Sequence, residues 1–351
     1  MNEIQLRPHQ KEAVNAIRTA LKNNRFALVV AGVGAGKSYI AATIAGDYKR
    51  VVVLQPSIEL MKQNHKSFLN LGIENTMING THKGDWDADI ILTTANTLSR
   101  HLDKLEEPDL LIIDELHLQH WGKMRRTIMK AWRKCKVFGM TATPHYYVQT
   151  IRYKGSTMYS VTTCCAIADG YFGEPVFKMS REQLKEIGYG ADILLQPVGI
   201  IRAKDFHFKS PEYMMIAQKH LQQVKTLLFG CENAIIYCDG IAHAKFLAEN
   251  IPGVECIFGD TPAAQRKEIV ERFMKNETPY VATVGCLKLG FDKPDLKTIV
   301  ILTNVNNPSN AEQQIGRLNR GTGIKKCYYN GALNTMEPIV GQQRWVEIKR
   351  Y

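Results

Sequence analysis

A glycine-rich stretch near the N-terminus ends in a lysine and a serine, in the order Ala31-Gly32-Val33-Gly34-Ala35-Gly36-Lys37-Ser38. Such a loop lets consecutive backbone N–H groups, here those of Gly34, Ala35 and Gly36, face one anion. Lys37 is then placed to reach the β- and γ-phosphates of a nucleotide, and the Ser38 hydroxyl to ligate Mg²⁺. The alternative is a turn that only packs a helix on a sheet. The strand-like and helix-like flanks favour a phosphate-binding loop.

Two adjacent acids, Asp114 and Glu115, follow the apolar run 109–113. Asp114 could hold Mg²⁺ directly or through water, and Glu115 could orient and deprotonate an attacking water. The alternative is an N-cap followed by a first-turn acid of the next helix. Because the phosphate-binding loop precedes them in the same half of the chain, the catalytic interpretation is preferred.

Two arginines, Arg317 and Arg320, lie one turn apart in a predicted helix over about 310–318 and its end. Across a cleft from a γ-phosphate they could stabilise the charge that develops during phosphoryl transfer. The alternative is a solvated basic helix face. Near the N-terminus, Gln10 could pair through its amide with N6 and N7 of adenine, or be a solvated helix residue.

These residues must be positioned by strands, and the sequence predicts strands followed by polar residues in both halves. The first half has apolar runs at 26–30, 51–54, 89–94, 109–113 and 136–140, and the second at 234–238, 254–258, 280–284 and 298–302. Continuous apolar runs alternating with helical patterns are typical of parallel sheets covered on both faces. The predicted class is therefore α/β with mostly parallel sheets, whose carboxyl edges bind the ligand. After Arg320 the pattern thins, which predicts a short tail.

Composition limits the classes of function further. The chain has 351 residues, 45% hydrophobic and 23% charged, with a net charge of +11 that favours a polyanionic partner. No apolar run is long enough to span a bilayer, and the N-terminus lacks the layout of a signal peptide, so no membrane partner is expected. The eight scattered cysteines lack zinc-ligand spacing and are expected to be reduced. A cytoplasmic location, bacterial or in a phage-infected host, is expected.

The ordered motifs resemble those of superfamily 2 helicases over about residues 4–322. Gln10 matches the adenine-reading glutamine of that family, with Arg7 in the same motif, and residues 31–38 match motif I. The other matching segments are motif Ia at 55–60, Ib at 93–95, the DExH box at 114–117, III at 141–143, IV at 236–240, V at 283–294 and VI at 313–320.

The resemblance implies two tandem RecA-like (P-loop NTPase) domains with ATP and Mg²⁺ bound between them. The expected boundaries are 1–150 for the first domain, 151–195 for a linker or crossover, 196–335 for the second domain and 336–351 for a tail. Residues implied in catalysis are Lys37, Asp114, Glu115, Arg317 and Arg320. Residues implied in nucleotide binding are Arg7, Gln10, Gly34, Ala35, Gly36, Lys37, Ser38, Gly290 and Asp292, with Ser38 and Asp114 toward the metal. Residues implied in nucleic-acid contact are Ser57, Thr94, Asp239 and Thr283, and those implied in coupling are His117, Thr141, Thr143 and Gln313.

Departures from the common motifs favour one branch of the family. The acidic box reads DELH, and Gln314 stands where DEAH RNA helicases usually carry arginine. Thr283 and Gly290 are one residue further apart than is usual in DEAD-box proteins. This style looks more like UvsW-like phage recombination helicases and restriction-enzyme motor subunits, which favours single-stranded or branched DNA. An RNA helicase, a clamp that does not unwind, and the motor of a larger complex whose partners supply specificity remain alternatives.

Overall fold

The structure is a computed structural model that describes residues 5–117, 122–153, 156–163, 170–199, 211–286, 293–303, 308–321, 323–330 and 346–348. The described residues form two compact units. The first comprises the chain up to Tyr146 together with Val161–Ile187, and the second comprises the rest.

The first unit is built on a parallel sheet of seven strands. Its strands are β1 (Phe26–Ala31), β2 (Val51–Gln55), β3 (Thr76–Ile78), β4 (Ile90–Thr94), β5 (Leu110–Ile113), β6 (Lys136–Thr141) and β9 (Phe177–Met179). They lie in the order β3-β4-β2-β5-β6-β1-β9. All five residues of β2 are buried, as a parallel strand covered on both faces requires. The carboxyl ends of all these strands therefore meet at one edge of the sheet.

Helices connect these strands. They are α1 (Pro8–Asn23), α2 (Lys37–Ala45), α3 (Ile58–Asn70), α4 (Ala95–Ser99), α5 (Gly122–Ala131) and α6 (Arg181–Glu186), with a 3₁₀ turn at Leu102–Lys104. Pro8 opens α1, where its missing N–H costs nothing. The Ser57 and Thr94 hydroxyls accept backbone N–H bonds at the starts of α3 and α4, which satisfies donors that the helices leave unpaired.

The second unit contains a parallel sheet of six strands. Its elements are β10 (Asp192–Val198), α7 (Pro211–Leu228), β11 (Ala234–Tyr237), α8 (Ile241–Asn250), β12 (Val254–Ile257), α9 (Ala263–Met274), β13 (Tyr280–Thr283), β14 (Thr298–Ile301), α10 (Pro308–Ile315), a 3₁₀ turn at Gly316–Asn319, and β15 (Ile324–Asn330). The strand order is β10-β15-β14-β11-β13-β12. The two sheets agree with tandem RecA-like domains. Among the described helices, none combines the length and apolar character needed to cross a bilayer.

The sequence pattern predicts no strand for residues 324–330, which lie inside the expected second domain at 196–335. These residues form β15, which pairs with both β14 and β10 inside the sheet. The polar sequence around Lys325 and Lys326 hides this strand from hydrophobic patterning. Lys325 is buried, and its Nζ donates to the carbonyl of Pro294 at 3.0 Å and to that of Arg320.

The segment predicted as a linker, 151–195, carries regular structure. Its β9 pairs with β1, with Phe177 opposite Val29, so it extends the first sheet. Phe172 in the same segment packs in the core of the first unit. A third, small sheet joins β7 (His145–Tyr153), β8 (Ser156–Thr163) and β16 (Val346–Ile348), with β16 antiparallel to β8.

The close packing of Phe172 on β6 can be tested at Gly139. A Cβ at Gly139 would lie 2.8 Å from two Phe172 ring carbons and 3.1 Å from Leu116. We expect Gly139→Ala to lower the free energy of unfolding by about 1–3 kcal/mol, because the buried ring must shift. The measurement is the urea midpoint at unchanged slope. Gly173→Ala is the control, since its Cβ meets no described atom within 4 Å; equal losses in both variants would contradict the packing.

Candidate active site

The glycine-rich loop connects β1 to α2, and Lys37 is the first residue of α2. Gly34 and Gly36 have φ values of 95° and 78°, a region that side chains with a Cβ rarely adopt. Gly36 occupies the N-cap position, so the first N–H groups of α2 point toward the loop. This is the local geometry of an anion-binding helix start, and the sequence prediction of strand, loop and helix is confirmed in this unit.

Helix α1 buttresses this loop through two buried side chains. Nε2 of His9 and Nε2 of Gln10 each lie 3.1 Å from the carbonyl oxygen of Ala35. Because a carbonyl oxygen can only accept, Nε2 of His9 carries the ring proton, and Nε2 of Gln10 donates one of its amide hydrogens. Burial lowers the pKa of His9, and the bond to Ala35 opposes this shift. A Cβ at Gly36 would lie 2.1 Å from the Gln10 amide nitrogen, so only glycine fits there.

Gln10 is thus placed beside the loop, as predicted, but both ends of its amide already have protein partners. Its Oε1 accepts the Arg7 backbone N–H at 2.9 Å, and its Nε2 donates to Ala35. An amide has a second lone pair and a second N–H, so one further bond at each end is available to a ligand. Lys37 donates from Nζ to the Ala31 carbonyl at 3.1 Å, and Ser38 is half-buried in the first turn of α2.

Asp114 lies directly after β5 and is buried. Its Oδ2 accepts from Nδ2 of Asn64 on α3 at 3.0 Å, and its Oδ1 accepts the Glu115 N–H at 2.9 Å. Glu115 has a φ of 48°, an unusual value for a residue other than glycine. Such strain persists only where surrounding contacts enforce it, and it concentrates at functional sites.

The buried surroundings of Asp114 disfavour the ionised form of its carboxyl group. Burial raises the pKa of the Asp114 carboxyl to about 7, the neighbouring Glu115 charge adds to the rise, and Lys37 and Asn64 oppose it. A cation beside Asp114 would compensate its charge. The buried Asp114 carboxylate therefore fits a cation such as Mg²⁺, and Ser38 stays a predicted second ligand.

Within the described ranges, no group of three or more His, Cys, Asp or Glu side chains could hold a metal.

A short polar chain runs from Glu115 to the end of β6. Nδ1 of His117 lies 3.3 Å from Oε2 of Glu115 and 2.8 Å from Oγ1 of Thr141. The Thr141 hydroxyl also accepts the Thr143 N–H at 3.0 Å. The structure therefore brings together three of the four residues predicted to couple nucleotide state to the rest of the protein.

In the second unit, the predicted helix over 310–318 ends at Ile315 and continues as the 3₁₀ turn. Arg317 is buried in that turn, whereas Arg320 follows it with extended backbone, so the expectation of one shared α-helical face is wrong. Burial raises the pKa of the Tyr237 hydroxyl, and the nearby Arg317 guanidinium opposes the rise. Gln313 is half-buried on α10. Gly290 and Asp292 lie outside the described residues.

The four residues predicted to contact nucleic acid have different surroundings. Ser57 and Thr94 are half-buried helix caps at the carboxyl edge of the first sheet. Asp239 is exposed just after β11. Thr283 is fully buried, and its hydroxyl donates to the Cys286 carbonyl at 3.2 Å, which fixes the turn after β13.

Comparison with known proteins identifies both units. The family described as "Type III restriction enzyme, res subunit" matches residues 3–146, and "Helicase conserved C-terminal domain" matches residues 219–322. Together they cover well over half of the chain, in the order that a two-domain motor requires. The chain belongs to the superfamily 2 helicases.

Similar proteins span a range of helicase types. ATP-dependent DNA helicase Q-like 2 of Arabidopsis thaliana is 22% identical, over 92% of this chain and 46% of that protein. The ATP-dependent Type ISP restriction-modification enzyme LlaBIII bound to DNA has a TM-score of 0.72 at 17% identity, over 96% of this chain and 28% of that one. S. cerevisiae Dbp5 bound to RNA and ADP BeF3 has a TM-score of 0.61 at 16% identity, over 93% and 89%. This helicase spans about half the length of the curated relatives it matches.

Two site residues of this helicase are absent from the sequence predictions. His9 stands beside Gln10 in the motif, and its role is visible only in its contact with Ala35. Asn64 carries a signal that could have been found. It follows Met61 by three residues and precedes Phe68 by four, so it occupies the buried stripe of α3 where an apolar residue is expected. A polar residue in such a stripe indicates a buried partner, here Asp114.

The Asn64 contact is testable through Mg²⁺ dependence. Asn64→Ala removes a donor that orients Asp114, and loss of such supporting bonds typically costs about 10- to 100-fold in metal affinity. We expect the Mg²⁺ concentration for half-maximal ATP hydrolysis to rise by that order. Ser67→Ala is the control, because Ser67 lies on the same helix and its hydroxyl donates to the Gln63 carbonyl within that helix. An unchanged Mg²⁺ requirement in Asn64→Ala would contradict the assignment.

The raised pKa of Asp114 predicts a pH-dependent stability. Between the ordinary aspartate pKa of about 4 and about 7, the folded state keeps a proton that the unfolded state has lost, so stability falls as pH rises through this window. We expect Asp114→Asn, without Mg²⁺ or nucleotide, to be more stable than wild type at pH 8 by roughly 1–3 kcal/mol. The gain should shrink toward pH 4. A difference independent of pH, measured by thermal unfolding, would refute this.

Proposed function

We propose that this chain is an ATP-dependent motor that moves on DNA. The observation that carries the proposal is the arrangement in the first unit. A phosphate-binding loop, the acid pair Asp114–Glu115 and the polar chain through His117 to Thr141 all belong to one sheet edge. The loop and the two acids supply the groups that nucleotide hydrolysis needs. The polar chain from Glu115 to Thr141 supplies a route by which hydrolysis affects the neighbouring strand β6.

In this proposal, Lys37 and the loop N–H groups bind the phosphates, and Gln10 contributes to base recognition. Bound Mg²⁺, held through Ser38 and Asp114, would neutralise phosphate charge. Glu115 orients the attacking water and accepts its proton. Arg317 and Arg320 of the second unit stabilise the developing charge, as the resemblance to the superfamily implies.

The proposal favours DNA, single-stranded or branched, with unwinding or branch migration of forked or recombination intermediates as the outcome. Support comes from the DELH box, the Gln314 position and the spacing in motif V. LlaBIII bound to DNA is among the similar structures. The net charge of +11 fits either nucleic acid. RNA is the second candidate, because Dbp5 bound to RNA shares the fold.

The chain could also act as the motor of a larger assembly, or as an ATP-gated clamp that does not unwind. The match of residues 3–146 to the family described as "Type III restriction enzyme, res subunit" supports the first of these. In that case protein partners would supply specificity.

The deciding experiment measures ATP hydrolysis with single-stranded DNA, forked DNA, a Holliday junction and single-stranded RNA of matched length. We expect stimulation by DNA, greatest with one of the branched forms, because motion is coupled to strand contact. Strand separation is followed in parallel with a fluorescently labelled fork. Stimulation by RNA alone would refute the DNA assignment, and stimulation without strand separation or branch migration would favour the clamp or partner-dependent motor.

Two substitutions test the hydrolysis machinery. We expect Lys37→Ala to abolish turnover, and Arg317→Ala to lower it by about 10³-fold or more while nucleotide binding stays nearly unchanged. Arg272→Ala is the matched control, since Arg272 pairs with Glu255 within the second unit. Binding is measured with a fluorescent ATP analogue. Near-normal turnover in Arg317→Ala would exclude Arg317 from the charge-stabilising role.

A further inference from the structure

A cavity of about 350 Å³ lies in the first unit at the carboxyl ends of β3 and β4. It is bounded by the loop that follows β3 on one side and by α4 and the residues after it on the other. Ligand sites start at about 300 Å³, so one base with its sugar and phosphate is of suitable size. None of its lining residues belongs to the nucleotide site described above.

One wall of the cavity is aromatic. The rings of Trp86 and His101 stack with centroids 4.8 Å apart and planes inclined by 29°. Trp86 also packs against the hydrophobic core of the first unit, and its carbonyl accepts from Arg50 at 3.3 Å. Nδ1 of His101 lies 2.9 Å from the carbonyl of Thr97, which fixes the imidazole ring. The stack is therefore held in place before any ligand arrives.

Two cations, Lys83 and Arg100, line the same cavity from opposite sides. Both are exposed, and within the described part of the chain neither side chain makes an ion pair. Surface cations usually find carboxylate partners or solvent, whereas two beside an aromatic wall match a group that is both planar and anionic. A nucleotide in a strand is such a group.

Asn79 holds the loop that carries Lys83 through three hydrogen bonds. The Asn79 side-chain oxygen accepts from the N–H groups of Thr81 at 2.7 Å and His82 at 2.9 Å, and the Asn79 N–H donates to the His82 carbonyl at 3.0 Å. A Cβ at Gly84 would lie 2.3 Å from the Thr76 hydroxyl, so this glycine allows the loop to close onto β3. A loop held by such bonds loses less entropy when it binds.

We propose that this cavity binds one nucleotide of a nucleic-acid strand, with its base joining the Trp86–His101 stack and its flanking phosphates on Lys83 and Arg100. The proposal rests on the proposed function, because it assumes that a strand passes over the carboxyl edge of the first sheet. A stacked base tolerates any sequence, which suits a protein that moves along its substrate.

The test compares oligothymidylate with an abasic oligomer of the same length, using fluorescence anisotropy on the full chain. The measured quantity is the base factor, the ratio of the abasic Kd to the oligothymidylate Kd. We expect Trp86→Ala and His101→Leu each to reduce the base factor by about 5- to 100-fold, and Trp86→Phe to restore most of it, because stacking needs a ring rather than a tryptophan. Phe229→Ala, which removes an aromatic ring that is 90% exposed in the second unit, is the control and should leave the base factor unchanged.

Salt dependence tests the phosphate contacts. Lys83→Ala and Arg100→Ala should each lower the slope of log Kd against log salt by about one unit. Lys178→Ala is the matched control, because Lys178 pairs with Glu174 at 3.1 Å. Thermal unfolding midpoints check that every variant is folded. If Trp86→Ala does not fold, His101→Leu still tests the proposal.

Several results would overturn the proposal. One is an unchanged base factor in both Trp86→Ala and His101→Leu. Another is displacement of the strand from the cavity by thymidine monophosphate at equal nucleotide concentration, because that result would indicate a site for a free nucleotide. Failure of the proposed function is separable. Nucleic acid that binds with the expected base factor yet never stimulates ATP hydrolysis would refute the motor and leave the cavity assignment intact. Stimulation in wild type with an unaffected base factor in the variants would refute the cavity alone.

Discussion

A carboxylate withdrawn from water is stable as a charge only beside a cation, and the first unit is built around such a carboxylate. Asp114 sits at the end of a fully buried strand, and burial raises its pKa. Two donors hold its oxygens, the Asn64 amide and the Glu115 N–H. Neither donor carries a full positive charge, and the Lys37 ammonium group only partly opposes the rise in pKa, so the ionised form stays unfavourable until a further cation binds. Without a bound cation, the folded protein is therefore less stable than it would be with an apolar residue at position 114. A functional role of the carboxylate explains this loss of stability better than a role in folding does.

The second constraint is steric and lies at Gly36. The loop must come close enough to α1 for His9 and Gln10 to reach the Ala35 carbonyl, and there is then no room for a Cβ. Helix α1 therefore fixes the loop from behind, and the loop fixes the amide of Gln10 in turn. A nucleotide that binds the loop and moves the Ala35 peptide would also move His9 and Gln10 of α1, because both side chains contact the Ala35 carbonyl.

The sequence predicts most of the secondary-structure elements that continuous apolar runs encode. The central strands of both sheets, and the strand, glycine-rich turn and helix around residues 31–38, follow from residue type and spacing, and the structure confirms these elements. Patterning failed where a strand is short or polar. β3 has three residues, and β9 lies in a segment rich in aromatics and glycine. β15 carries the buried Lys325, whose ammonium group donates to the Pro294 carbonyl, 31 positions away in the sequence.

The failures at the site have the same origin. Asn64 and His9 matter through contacts with residues 50 and 26 positions away. Arg317 was expected on an α-helix, but the helix tightens into a 3₁₀ turn at Gly316, and Leu318 in that turn is fully buried. Helix type near a terminus is decided by tertiary packing, which local sequence does not report.

Strand order separates two kinds of chemistry along one edge of the first sheet. The loop after β1, the threonines after β6 and the acids after β5 are neighbours in space because β1, β6 and β5 are adjacent. The caps Ser57 and Thr94 and the aromatic cavity follow β2, β4 and β3, which occupy the other half of the same edge. Adjacent strands lie roughly 5 Å apart, so the two halves are within reach of one another through β5 and β2. Asn64 crosses that boundary, since it belongs to the helix that Ser57 caps yet bonds Asp114. A change in the charge of Asp114 therefore acts directly on α3, the helix that starts at the β2 end of this edge.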